Sequence, residues 1–237
     1  MLPFKHKRMI YVLLFIFLSI IYSHQSYLDT LVAAWVYDPE LGFALRNHFL
    51  LEKVFHKGGV LFVLLIGIVI LLRMGHHSYL ILKNTNNRLV EHQKKLMELI
   101  FVFISVLISV LLIKLLKNNT TLPCPWHVEG FGGNRDFQSI TTLFSSEYRI
   151  GHCFPSGHAS AGFSFLSLYF ARALYAMPKF SHMLPGLALG SLFAITQELR
   201  GAHFLSHDLA TILICLFIPC TLSFIIKTYV SRMEGQI

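Results

Sequence analysis

The sequence predicts an all-α integral membrane protein with six transmembrane helices and both termini in the cytoplasm. Three observations carry this. Hydrophobic residues make up 54% of the 237-residue chain and charged residues only 14%, against about 25% in soluble domains. Mean hydropathy is +0.60. Apolar runs recur along the chain, and the basic residues between them sort to alternate sides. So few charges exclude a soluble domain, a disordered chain and a coiled coil. A length of 237 residues suits one membrane domain spanning residues 1–237.

A helical crossing needs about 20 mostly apolar residues. The candidate runs are Met9 to Leu28, Gly58 to Leu72, Leu99 to Ile113, Ile150 to Ala171, Phe180 to Gln197 and Leu209 to Ile226. The first follows Lys5, Lys7 and Arg8 as a signal peptide would. It is long, and no small-residue cleavage site follows closely, so it reads as a retained helix. The second and third runs are short, and flanking charges such as Arg73 and Lys114 must snorkel to complete them.

Net charge is +8, which in a soluble protein would suggest nucleic acid. Sidedness explains it instead. With the N-terminus inside, 12 Lys and Arg fall on the cytoplasmic side and 8 outside, for net charges of +9 and −1. This is the positive-inside pattern, and no nucleic-acid partner is needed. Two long loops, 24–57 and 117–155, fall outside. Their aromatic residues (Trp35, Tyr37, Phe43, Phe49, Trp126, Phe131, Phe137 and Tyr148) argue against disorder and suit an interfacial belt.

Three polar clusters stand at the outer mouths of these runs, where ionisable groups mark function. Pro155-Ser156-Gly157-His158 opens an apolar helix. Ser156 suits an N-cap, and the free N–H groups of a helix start form an anion site. Gly157 lets a phosphate approach, and His158 can protonate a leaving oxygen. Next comes Arg200, then His203, His207 and Asp208. On a helix His203 and His207 share one face, as nucleophile and orienting partner, with Arg200 as a phosphate clamp. The same spacing suits zinc, but no third ligand follows, so no metal is expected. The third cluster is Lys117 with Cys124, Pro125 and Trp126. Alone, Lys117 reads as a snorkelling lysine.

Taken together, these clusters resemble the type 2 phosphatidic acid phosphatase (PAP2) superfamily. Its pattern is Lys-x6-Arg-Pro, then Pro-Ser-Gly-His, then Ser-Arg-x5-His-x3-Asp. The resemblance covers about residues 114–212, and its second motif is complete at Pro155 to His158. In the first motif Cys124 replaces the arginine. In the third, one register takes His203 as nucleophile, with Thr196-Gln197 for Ser-Arg and His207 for Asp. A second register takes His207, with Arg200 one residue too far away and Thr211 for Asp. The first is preferred. Arg200 is the candidate substitute for one displaced arginine, Arg135 or Arg149 for the other, and Asp208 could orient either histidine. The run Cys-Pro-Trp, Phe-Gly-Gly and Arg-Gly-Ala-His resembles bacterial inner-membrane members.

The resemblance implies a PAP2-like helical bundle and hydrolysis of a phosphomonoester or diphosphate without a cofactor. His203 attacks phosphorus to form a phosphohistidine and His158 protonates the leaving oxygen. Lys117, Arg200, Ser156 and Gly157 hold the phosphate. The implied partner is a lipid phosphate in the bilayer: lipid A, undecaprenyl diphosphate or phosphatidylglycerol phosphate. The implied location is a bacterial inner membrane with the site facing the periplasm. There Cys124 and Cys153 could form a disulfide, while Cys215 and Cys220 read as apolar filler. Two alternatives remain: a lipid phosphotransferase using the same intermediate, and a transporter or binding protein that keeps the fold without catalysis.

Overall fold

The computed structural model describes the backbone of residues 4–25, 27–83 and 88–234 and the side chains of 11–23, 27–83 and 88–233. Lys5, Lys7, Arg8 and Glu234, which enter the charge count, have side chains outside the described residues. The chain is all-helical, with no strand among the described residues. Its helices are α1 (Phe4–Gln25), α2 (Leu28–Ala34), α3 (Gly59–Lys83), α4 (Leu89–Asn119), α5 (Gly157–Phe163), α6 (Ser167–Ala173), α7 (Leu184–Leu199) and α8 (Leu205–Glu234).

Among the described residues, three helical stretches are long and apolar enough to cross a membrane: Leu50–Lys83, Leu89–Asn119 and Leu205–Met233. A fourth is added if Tyr11–Ser23 and α2 count as one broken span. The remaining two predicted spans are shorter than expected. Residues 150–156 are irregular, so the helical run there begins at Gly157 and passes through a 3₁₀ turn at Ser164–Leu166 before α6. Likewise, Phe180–His182 is a 3₁₀ turn and α7 starts at Leu184. At 16 residues α7 is about 24 Å long, under the bilayer core of about 30 Å. Apolar composition does not distinguish helix from buried loop. Conversely, α3 and α4 extend beyond their apolar runs, carrying Arg73, Lys94, Lys95 and Lys117 on helix ends.

The predicted outer loops are partly built. Loop 24–57 holds α2 and most of a π-helical segment, Leu50–Gly58, that runs into α3. Loop 117–155 holds short 3₁₀ turns at Pro125–His127, Glu129–Phe131 and Ile140–Thr142. Their aromatic residues divide into two groups. Tyr37, Phe43 and Phe131 pack together, and Phe131 and Phe137 pack on Phe204. Trp35, Phe49 and Tyr148 remain exposed, as an interfacial belt requires.

Buried packing centres on Phe101, Ile113, Phe163, Leu166 and Cys215, with α4 in contact with α5, α6 and α8. The tightest approach is between α5 and α7. A Cβ on Gly162 would collide with the backbone of Gly190, and one on Gly186 with the backbone of Leu166. Small residues let helices meet where lipid supplies no hydrophobic drive. Helix α8 begins against α2: Asp29 is fully buried, accepts the Ser206 N–H at 2.9 Å and also accepts the Ser206 hydroxyl. A carboxylate there satisfies an otherwise unpaired amide and suits the helix dipole. Further along, Pro219 lies inside α8, as transmembrane helices tolerate.

Replacing Gly162 by valine is expected to destabilise the fold by about 1–3 kcal/mol, read as a lower thermal midpoint in detergent. Gly67→Ala, where a Cβ meets nothing within 4 Å, is expected to leave the midpoint unchanged. Equal losses in both would contradict the close α5–α7 approach.

Candidate active site

The end of α7 sets the geometry. Arg200 is its C-cap and Gly201 follows at φ +70°, a conformation that favours glycine. Gly201 N–H donates to Glu198 O and Ala202 N–H to Gln197 O, both at 2.9 Å. This pair of bonds is a Schellman motif, which stops a helix and reverses the chain. The reversal carries His203 back under the end of α7. Trp126 N–H donates to Gly201 O at 3.1 Å, fastening the Cys124–Trp126 segment to the same turn.

Several elements now face one cavity of about 450 Å³, His56 of the π-helical segment among its lining residues. It is lined by Lys117 from the end of α4, Gly157 and His158 from α5, Gln197 and Arg200 from α7, and His203 from the turn. Cys124 and Cys153 line it too; their sulfurs are bonded to each other, with Cα atoms 5.3 Å apart. His127 is within 4.8 Å of both sulfurs, but bonded sulfurs are not thiolate ligands for a metal. The glycine serves a purpose here: Lys117 Nζ lies 3.5 Å from where a Cβ of residue 157 would stand.

The cations and imidazoles are held by named partners. Arg200 Nε donates to Arg46 O at 2.8 Å and its Nη1 to Gln197 Oε1 at 3.2 Å, leaving other donors of the fork uncommitted. Gln197 Nε2 donates to His56 Nδ1 at 2.6 Å. His158 donates from Nε2 to Phe55 O at 3.2 Å, with its ring against His56 and Phe193. His203 Nδ1 is 3.4 Å from His207 Nδ1, and its ring also meets the Cys153 carbonyl. Burial, reinforced by Lys117 and His207, holds the His203 imidazole well below its ordinary value, against the opposing pull of that carbonyl.

Other predicted site residues lie outside the cavity. Ser156 stands at the N-cap of α5, but its hydroxyl makes no capping bond, and the residue is fully buried outside the cavity. Its N–H is not open to an anion, because it donates to His207 O at 3.2 Å. His207 does not line the cavity; it is buried behind His203 between Phe154 and Phe204. Asp208 is also buried below the cavity, facing Glu198 and Ser156. Arg135 donates to the carbonyls of Thr121 and Arg149, bracing the loop, and Arg149 is exposed. Neither arginine reaches the cavity.

His56 and the Phe55 carbonyl did not emerge from the sequence. They come from the π-helical segment, about 100 residues from His158 in the chain. Such irregular helix is frequent at functional sites, but no residue pattern announced it. Gln197 was marked only as standing where the family has arginine; in the structure it links Arg200 to His56.

A family model of the PAP2 superfamily matches residues 98–232, more than half of the chain. No curated protein and no solved structure matches it.

A histidine with a depressed pKa is neutral at pH 7 and gains its proton only below the ordinary value of about 6.5. If neutral His203 is needed, the acid limb that it sets in kcat/KM is expected below the ordinary histidine range. An acid limb centred at or above 6.5 would contradict this.

Proposed function

The chain belongs to the PAP2 superfamily, and from that premise we propose that it is a membrane phosphatase hydrolysing a lipid phosphomonoester or diphosphate. PAP2 members are phosphatases. The finer reading is a six-span protein of the bacterial inner membrane, termini cytoplasmic, with its site at the periplasmic face. The observation that carries the chemistry is one cavity shared by Lys117, His158, Arg200 and His203.

In the proposed reaction Lys117 and Arg200 bind the phosphate oxygens, replacing water by fixed positive charge. Neutral His203 attacks phosphorus with a ring lone pair, while its ring is steadied by His207 and the Cys153 carbonyl. The phosphorus–oxygen bond to the leaving group breaks as the phosphorus–nitrogen bond forms, and His158, starting as the imidazolium, gives the departing oxygen a proton and becomes neutral imidazole. Water, deprotonated by His158, then attacks the phosphohistidine. The phosphorus–nitrogen bond breaks, phosphate leaves and both histidines return to their starting states. Positioning and charge stabilisation dominate phosphoryl transfer, which suits a site whose cations are anchored. No metal takes part.

Three features support a lipid substrate. The site is assembled at the ends of apolar helices. Lys117 stands in the last turn of the 31-residue helix α4. Exposed Trp35 and Phe49 on the neighbouring loop suit an interfacial depth. Lipid A, undecaprenyl diphosphate and phosphatidylglycerol phosphate are the candidate substrates.

The test is phosphate release from these lipids in detergent with a chelator present. Wild-type protein is expected to be active. His158→Ala is expected to lower kcat by about 10²–10⁴-fold, and His203→Ala to reduce it by about a thousandfold or more. His207→Ala is expected to retain partial activity. Full activity in both cavity variants, or His207→Ala inert beside an active His203→Ala, would overturn the assignment.

A further inference from the structure

A second cavity, of about 520 Å³, lies at the opposite end of the bundle between α3, α4, α6 and the start of α7. It shares no residue with the catalytic cavity. From Lys117 to Lys95 along α4 is 22 residues, or about 33 Å of helix. The two cavities therefore stand about one bilayer core apart.

Its walls and rim differ in kind. Val69, Leu99, Val102 and Leu168 supply an apolar wall, while Arg73, Lys95 and Arg172 stand at the rim. Arg172 pairs with Glu98 at 3.1 Å and Lys95 with Glu91 at 2.7 Å. Arg73 has no acidic partner within 4 Å among the described residues. Three cations against two carboxylates leave one positive charge, which matches the single negative charge of a phosphodiester. Both ion pairs are partly exposed, so they are weak and can yield to a phosphate at little cost. Arginine is well suited to phosphate oxygens, and basic pockets between transmembrane helices bind lipid headgroups.

We infer that this cavity is a second binding site, taking the phosphate of an anionic phospholipid at Arg73, Lys95 and Arg172 with its acyl chains along the apolar wall. Free phosphate offers the same anion without the chains, so the two sources are separable. The site is independent of the catalytic reading: it requires neither His203 nor Lys117.

The experiment uses full-length protein in detergent, titrated separately with phosphatidylglycerol, phosphatidylcholine and inorganic phosphate. Binding is read by native mass spectrometry and by thermal midpoint. Phosphatidylglycerol is expected to bind and raise the midpoint, and phosphatidylcholine is not. Arg73→Gln/Lys95→Gln is expected to weaken phosphatidylglycerol binding at least tenfold, Arg73→Lys to preserve most of it, and Lys117→Met to leave it unchanged. Stabilisation by inorganic phosphate alone, lost in the double variant, would keep the anion site but overturn the lipid as its source. Unchanged phosphatidylglycerol binding in the double variant, or equal binding of phosphatidylcholine, would overturn the site.

Discussion

The backbone contact between α5 and α7 is the constraint on which the rest depends. Gly162 and Gly190 leave no room for a Cβ between the two helices. One of these helices opens with His158 and the other ends at Arg200. Their spacing therefore fixes how far the proposed acid stands from the proposed phosphate clamp. The Schellman turn at Gly201 then brings His203 beneath the same opening. In lipid this contact cannot be driven by excluding water, so close packing must supply it. A bulkier pair of residues would separate the histidines without touching either one.

The cavity departs from the family pattern at several positions. Where the family pattern has arginine before the proline, Cys124 is joined to Cys153. That bond ties the segment after α4 to the loop entering α5, a positional role that needs no charge. Gln197 stands at the other family arginine position and holds Arg200, three residues further on, by its side-chain oxygen. Positive charge is thus delivered from one helical turn away. In the register that takes His203 as nucleophile, His207 stands where the family has its carboxylate, and it is packed between two aromatic rings. An imidazole at this position can still fix its neighbour's orientation through a ring nitrogen, Nδ1 of His207 lying 3.4 Å from Nδ1 of His203.

Much of the fold was legible because the sequence states it through composition. Long apolar runs at 58–72, 99–113 and 209–226 all became helices, since in lipid the backbone must bond to itself. The ends were less legible. Residues 150–156 are apolar but irregular, because buried loop and buried helix share a composition and differ only in where their amides bond. The Ser156 amide shows this: its pairing with His207 O depends on a residue of α8, 51 positions further along the chain. Lys117, Gly157, His158 and His203, which line the cavity, stand at motif positions, and Arg200, which lines it too, is named as the substitute for a displaced arginine. His56 could not be named in this way, because its place depends on a π-helical segment with no residue signature and on a partner, Gln197, brought near by folding.

The central claim is that His203 forms a covalent bond to phosphorus while His207 supports it from behind. Rapid alkaline quenching of the enzyme with its lipid phosphate, followed by peptide mapping, reads this directly. The account predicts an acid-labile phosphate on His203 that forms and decays within the turnover time and is absent in His203→Ala. Phosphate on His207 instead, or turnover without any phosphohistidine, would contradict it.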